Sequence, residues 1–278
     1  MVSERNVRAA LAALVLLAAG CDWSLREVLS HPTVEQRVRE SLAMPPVEPP
    51  PVNPDSFRFA MFGDPQVRKD GIHRLGRFRE HVVERGIDFV CVLGDLTHDA
   101  TEEQIQWMRS ALDSLGVPVY AAPGNHDLYQ TGAWDRFKEV FGPGCQWFRA
   151  GRVRIILFDT AGGIIGPTQF RWLEEQLSLS ADEIKVLGTH FPLFDGGMPD
   201  LYRLASEAER YRLASLLRDT GAWGLVSGHM HYFRAFESNG VRFITCGSMA
   251  PKLDGGEPGY LLLNYAAGEL SWQFVVLD

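Results

Sequence analysis

The chain has 278 residues, 46% of them hydrophobic, and a formal net charge of -8. That apolar content supports one large domain with its own core, and the acidic balance excludes a scaffold that holds nucleic acid by neutralising its phosphates. The four cysteines (Cys21, Cys91, Cys145 and Cys246) show no C-x-x-C spacing, which argues against a thiolate zinc site. Cys91 sits in an apolar run and reads as a buried thiol. A Cys145–Cys246 disulfide depends on a distance that spacing does not reveal.

In chain order, Arg5 and Arg8 precede an apolar run at 9–19 that is short for a bilayer span. It ends in Leu17-Ala18-Ala19-Gly20-Cys21, which resembles a bacterial lipobox. The expectation is a signal peptide over 1–20 and a lipid on Cys21. That would place the protein in the bacterial cell envelope, membrane-anchored on the extracytoplasmic side. Residues 22–43 have helical spacing at Leu29, Val34, Val38 and Leu42, with Ser30 or Thr33 available as a cap. Anchor and helical stem together take 21–44. The proline-rich run 45–54 reads as a semi-rigid spacer holding a domain, expected over 55–278, clear of the membrane.

Strands and helices then alternate. Strand-like runs are expected at 57–62, 88–93, 117–122, 146–149, 152–158, 184–187 and 223–226. Helices are expected at 71–85, at 101–115 with a Thr101-x-x-Gln104 capping box, at 132–141, at 167–179 with proline in its first turn, and at 199–218. From His229 onward only strands follow, at 232–237, 241–246, 259–265 and 270–277, with Asn239-Gly240 and Ala267-Gly268 as hairpin turns. The pattern specifies an α/β chain: a β-sandwich of two sheets flanked by helices.

Five strand-like runs meet a glycine and then a polar group. They lead into Gly63-Asp64-Pro65-Gln66, Gly94-Asp95, Gly124-Asn125-His126-Asp127, Gly188-Thr189-His190 and Gly228-His229-Met230-His231. Singly, Asp64, Asp95, Asn125 or Asp127 is more simply a helix cap, and His190 a satisfied core histidine. Two imidazoles at one glycine turn have little structural use. Ligands in open α/β sheets bind outside the carboxyl ends of strands, so the five ends together read as a metal site. Hard oxygen and imidazole donors without thiolate favour manganese, iron or zinc.

This ordered set resembles the motifs of calcineurin-like metallophosphoesterases, over a stretch running from Phe57 to the C-terminus. The resemblance implies two divalent or trivalent metal ions (Mn, Fe or Zn). Asp64, Asp95 and His231 would hold the first, with Asp95 bridging; Asn125, His190 and His229 would complete the second. His126 would be catalytic, donating a proton to the leaving alkoxide or stabilising charge. The implied reaction is hydrolysis of phosphate mono- or diesters by a metal-bridging hydroxide. The family pattern has histidine where this chain has Gln66, which is either a weaker oxygen ligand or a hydrogen-bonding neighbour. Leu96-Thr97-His98 after Asp95 lacks the tyrosine of purple acid phosphatases, and Asp99-Ala100-Thr101 lacks the arginine of protein phosphatases. His98 and Phe194 are candidate pocket residues; His73 and His81 read as solvated. The partner is then a small phosphoester, with no nucleic-acid scaffold expected; the sequence does not specify oligomeric state. The rival is a non-catalytic metal- or ligand-binding lipoprotein that retains the fold.

Overall fold

The structure is a computed structural model that describes residues 32–68, 73–179, 182–194, 202–250 and 256–277. The expected signal segment and Cys21 lie outside these residues. Two sheets form the centre. The first has the order β11-β10-β1-β2-β3, from strands β1 (Ser56–Phe62), β2 (Phe89–Leu93), β3 (Val119–Ala122), β10 (Gly259–Ala266) and β11 (Glu269–Val276). The second has the order β4-β5-β6-β7-β9-β8, from β4 (Gln146–Ala150), β5 (Val153–Leu157), β6 (Ile184–Thr189), β7 (Gly224–Ser227), β8 (Phe233–Ser238) and β9 (Val241–Cys246). β1, β2 and β3 run parallel, as do β5, β6, β7 and β9. The carboxyl ends of β1, β2 and β3 in one sheet and of β6 and β7 in the other carry the five polar turns.

Side-chain alternation explains the layers. In β1, Phe57, Phe59 and Met61 face the second sheet, where Phe148, Ile155, Leu157, Val186 and Ile244 meet them. Ala60 and Phe62 face outward, into a second apolar layer with Phe78, Val82, Met108 and Phe137. That layer belongs to helices α2 (His73–Arg85), α3 (Glu102–Asp113) and α4 (Ala133–Phe141). On the far side, Ile156 and Leu187 meet α1 (Val34–Ala43), α5 (Pro167–Ser178) and α6 (Glu207–Asp219) through Val38, Phe170, Leu173 and Leu213. The result is the expected two-sheet sandwich flanked by helices. Among the described residues no helix is long and apolar enough to cross a membrane.

Several local expectations need adjustment. The helix expected over 199–218 is described as Glu207–Asp219, because Ser206 caps it by accepting from the Glu209 amide; 195–201 lie outside the described residues. Thr101 caps α3, but Gln104 does not close the capping box; its amide turns back to Asp99. His81 is buried, with Nδ1 3.1 Å from the Tyr260 hydroxyl, whereas the sequence suggests solvation. Cys145 and Cys246 are both free and buried; the Cys145 thiol donates to Gln169 at 2.7 Å. The segment 45–54 lies against the domain: Val47 and Val52 pack on the inter-sheet core and the Tyr120 hydroxyl donates to the Glu48 carbonyl at 2.8 Å.

Candidate metal centre

Three of the five polar turns, those after β1, β2 and β7, leave their strands through strained backbone. Asp64, Gln66, Asp95, His229 and His231 all have positive φ, between 39° and 69°. Left-handed backbone at non-glycine residues costs about 1–3 kcal/mol each and persists where the surroundings over-determine it. The turns also approach each other closely. A Cβ at Gly124 would lie 2.2 Å from Asp95 Oδ1, and one at Gly228 2.7 Å from Asp64 Oδ2, so only glycine admits the carboxylates.

These turns bring together seven of the sequence-expected residues. His190 Nδ1–H donates to the Leu93 carbonyl at 2.9 Å, which leaves Nε2 as a lone pair. That nitrogen lies 3.0 Å from Asn125 Oδ1, 3.4 Å from Asp95 Oδ1 and 3.1 Å from His229 Nδ1. Three electron-pair donors therefore crowd one space beside His229 Nδ1, a crowding that a cation relieves. Asp95, His190 and His229 have the mutual spacing of metal ligands. Burial, and next the neighbouring His190, pushes the His229 imidazole down to about 3, so it is a neutral ligand near pH 7.

A second cluster adjoins the first through Asp95. His231 Nε2 is 3.4 Å from Asp64 Oδ1, a buried oxygen with no hydrogen-bond partner. Asp64 Oδ2 accepts from the His229 amide at 2.8 Å. Gln66 Nε2 lies 3.3 Å from Asp95 Oδ2 and 3.4 Å from His231 Nε2. Its amide nitrogen thus faces the centre, and presenting the carbonyl oxygen to a cation requires the amide to turn over. Asp64 and Asp95 are 0% and 1% exposed, and neither pairs with a lysine or arginine among the described residues. The donors present fit metal ions: oxygen and imidazole, with an orphaned carboxylate oxygen.

His126 stands beside this centre on a short turn of 3-10 helix (His126–Leu128). Its amide donates to Asp95 Oδ1 at 2.9 Å, and its Nδ1–H donates to the His98 carbonyl at 2.7 Å. Its Nε2 is 3.2 Å from the Tyr129 hydroxyl, which also accepts from the Asn125 amide at 3.2 Å. Asp127, buried, binds the amides of Gly124, Leu96 and Thr97 and so ties two of the turns together. Burial, then Asp95, raises its carboxyl to about 6.

Of the two pocket candidates, His98 lies by the centre, its ring 5.0 Å from that of His126 and bonded to the Arg68 guanidinium. Burial lowers its pKa, with Arg68 adding to the effect. Phe194 instead packs edge-on against Phe243 and Phe236. The aromatic ring against the ligands is Phe191, 3.9 Å from His229. Arg68 and Tyr129 escape sequence reasoning; their only signal is position, two residues after Gln66 and three after His126.

The segment 57–233 matches the model of the calcineurin-like phosphoesterase family. The chain is 28% identical over 178 residues to a protein named "Probable glycerophosphodiester phosphodiesterase" from Arcobacter nitrofigilis, covering 58% of this chain and 63% of that one. It is 26% identical over 118 residues to a 3',5'-cyclic-nucleotide phosphodiesterase from Nostoc, covering 38% and 41%. The chain thus spans less than two thirds of the length of these relatives. A dimetal phosphatase from Danio rerio superposes with a TM-score of 0.65 at 14% identity, covering 80% of this chain and 96% of that one. A purple acid phosphatase from yellow lupin seeds superposes with a TM-score of 0.66 at 16% identity, covering 82% and 54%; both share the fold. By the family match, which spans more than half of its length, the chain belongs to the calcineurin-like phosphoesterases.

Proposed function

We propose that the chain is a two-metal hydrolase of phosphate esters, acting on mono- or diesters, with diesters favoured by the names of its curated relatives. The observation that carries this reading is the convergence of buried, mutually unneutralised donors at five strand ends. Asp64, Gln66, Asp95 and His231 would hold one ion, and Asp95, Asn125, His190 and His229 the other. Such ions supply Lewis acidity and an activated water. The remaining work falls to the protein. The Leu93 carbonyl fixes the His190 tautomer, and the His98 carbonyl holds the His126 ring with Nε2 toward the centre. A protonated His126 Nε2 would give its proton to the departing alkoxide, with the Tyr129 hydroxyl 3.2 Å away helping to orient the ring. Arg68 on the rim offers a cation to an anionic substrate.

The test is hydrolysis of bis(p-nitrophenyl) phosphate and p-nitrophenyl phosphate by the full chain with added manganese, zinc or iron, beside His126→Ala. Metal-dependent turnover that falls about 10²–10⁴-fold in the variant supports the reading. Bound metal with no turnover of either ester would favour the binding-protein rival.

The envelope location and the lipid on Cys21 are likewise proposed, on the residues before position 22 alone. Because α1 and the proline-rich run are both docked on the domain, the proline-rich run would not act as a spacer. Mass spectrometry of the mature N-terminus tests the anchor: an unmodified Cys21 refutes it.

A further inference from the structure

Helix α1 lies outside the segment that matches the family, yet its Arg37 is joined to the strand end beside the site through Asp159. Arg37 is 4% exposed and Asp159 0%. Arg37 Nε and Nη2 donate to the two Asp159 oxygens at 2.7 and 3.1 Å, and Arg37 Nη1 donates to the Pro32 carbonyl. Asp159 also accepts from the Ala161 amide at 2.9 Å. The helix is fastened at three further points: Glu35 binds Thr168, Glu40 binds Trp134 and Lys138, and Ser41 accepts from the Gly144 amide. It is therefore held in one position relative to the strand that Asp159 follows.

From Thr160, the residue after Asp159, hydrogen bonds run to both neighbours of His190. The Phe191 amide donates to Thr160 Oγ1 at 2.8 Å. Thr160 Oγ1 lies 2.9 Å from Thr189 Oγ1, and the Thr189 hydroxyl spends its proton on the Phe158 carbonyl at 2.7 Å. The shared proton between the two threonines therefore belongs to Thr160. One buried hydroxyl thus grips the chain on each side of His190, and the residue between Phe158 and Thr160 is the one that Arg37 clamps.

We propose that α1 is a positioning element of the metal centre, in which Arg37, acting through Asp159 and Thr160, sets the backbone that aims His190. The inference rests on the reading of His190 as a metal ligand. Arg37 and Thr160 touch no reacting group. They act by restricting where the His190 ring can sit, and imidazole ligands lose affinity when their support loosens.

The test is calorimetric titration of the full chain with manganese(II) alone, well below the melting temperature, for wild type, Thr160→Val, Arg37→Met and the double variant. Thr160→Val keeps shape and α1 docking while removing the hydroxyl, so it serves even if Arg37→Met folds poorly. The expected result is a loss of about tenfold or more in affinity at one of two manganese positions in each single variant. The double variant should lose little more than the worse single, since both cut one connection. Wild-type affinity in the folded variants, with only the melting temperature lowered, would overturn the proposal and leave α1 a purely structural strap. A wild type that binds no manganese would instead overturn the underlying metal reading.

Discussion

Two sets of buried carboxylates in this molecule are treated in opposite ways. Asp159 is fully buried and receives a two-point ion pair from Arg37. Asp64 and Asp95 are as deeply buried, but their partners are backbone amides, imidazoles and the Gln66 side-chain amide, with no lysine or arginine among the described residues. Burying a carboxylate without a cation is costly. At Asp159 the chain supplies the cation itself and the pair is permanent. At Asp64 and Asp95, on the proposed reading, a metal ion would supply it; this open cluster is ringed by imidazoles, two of them on a strained turn.

The largest effect should come from removing the charge shared by both halves of the open cluster. Asp95→Asn should abolish binding at both metal positions and lower turnover about 10³-fold, read as metal content by elemental analysis beside hydrolysis rate. Full metal content in the variant would mean that Asp95 is not shared.

Next is the closed cluster. Arg37→Met leaves Asp159 buried and unpaired, so urea unfolding should show a loss of about 3–5 kcal/mol. Replacing both, Arg37→Met with Asp159→Leu, should recover most of it, because removing both charges also removes the desolvation cost. A double variant as unstable as the single would contradict this account of the pair.

A smaller effect separates the clusters by pH in metal-free protein. Folded His229 stays neutral down to about 3, while the unfolded ring takes a proton below its ordinary value of 6.5, so stability is lost as pH falls through that window. His81 and His98, also lowered chiefly by burial, act in the same direction. Asp127, raised to about 6 from 3.8, works the other way, since the folded state takes its proton first as pH falls. His229 alone should lose about 2 kcal/mol between pH 7 and pH 5 and Asp127 return about 1, so with His81 and His98 adding to the loss, stability in EDTA should fall over that range. A rise in the urea midpoint over that range would contradict the assignment.

The smallest expected change is a gain. Gln66→His replaces a neutral amide, whose nitrogen faces Asp95 and His231, with an imidazole, and should tighten the first metal position about tenfold. Unchanged manganese affinity would mean that Gln66 is only a hydrogen-bonding neighbour.

The open cluster was legible in the sequence because its signal is local: an apolar run, a glycine, then an acid, amide or imidazole. The unbroken apolar run of β2 likewise announced a strand buried on both faces. The closed cluster was not legible, since Arg37 reads as one charge on a polar helix and its partner lies 122 residues away. Composition made 45–54 look like a spacer, while Val47, Val52 and the Glu48 carbonyl find partners only once Tyr120 and the sheets are in place. His81 is surrounded in sequence by arginines and glutamates, and only the arrival of Tyr260 from β10 buries it. Phe194 follows the site-bearing His190 closely in sequence, but Phe236 and Phe243 draw its ring into another apolar contact.

The central claim is that Asp95 joins two metal positions at the strand ends. Its most direct test is a crystal of the full chain grown with manganese and measured at a wavelength where manganese scatters anomalously. The account predicts two anomalous peaks about 3.5–4 Å apart, both beside Asp95, one toward Asp64 and His231 and the other toward His190 and His229. A single peak, or none at this cluster with manganese in excess, would contradict it.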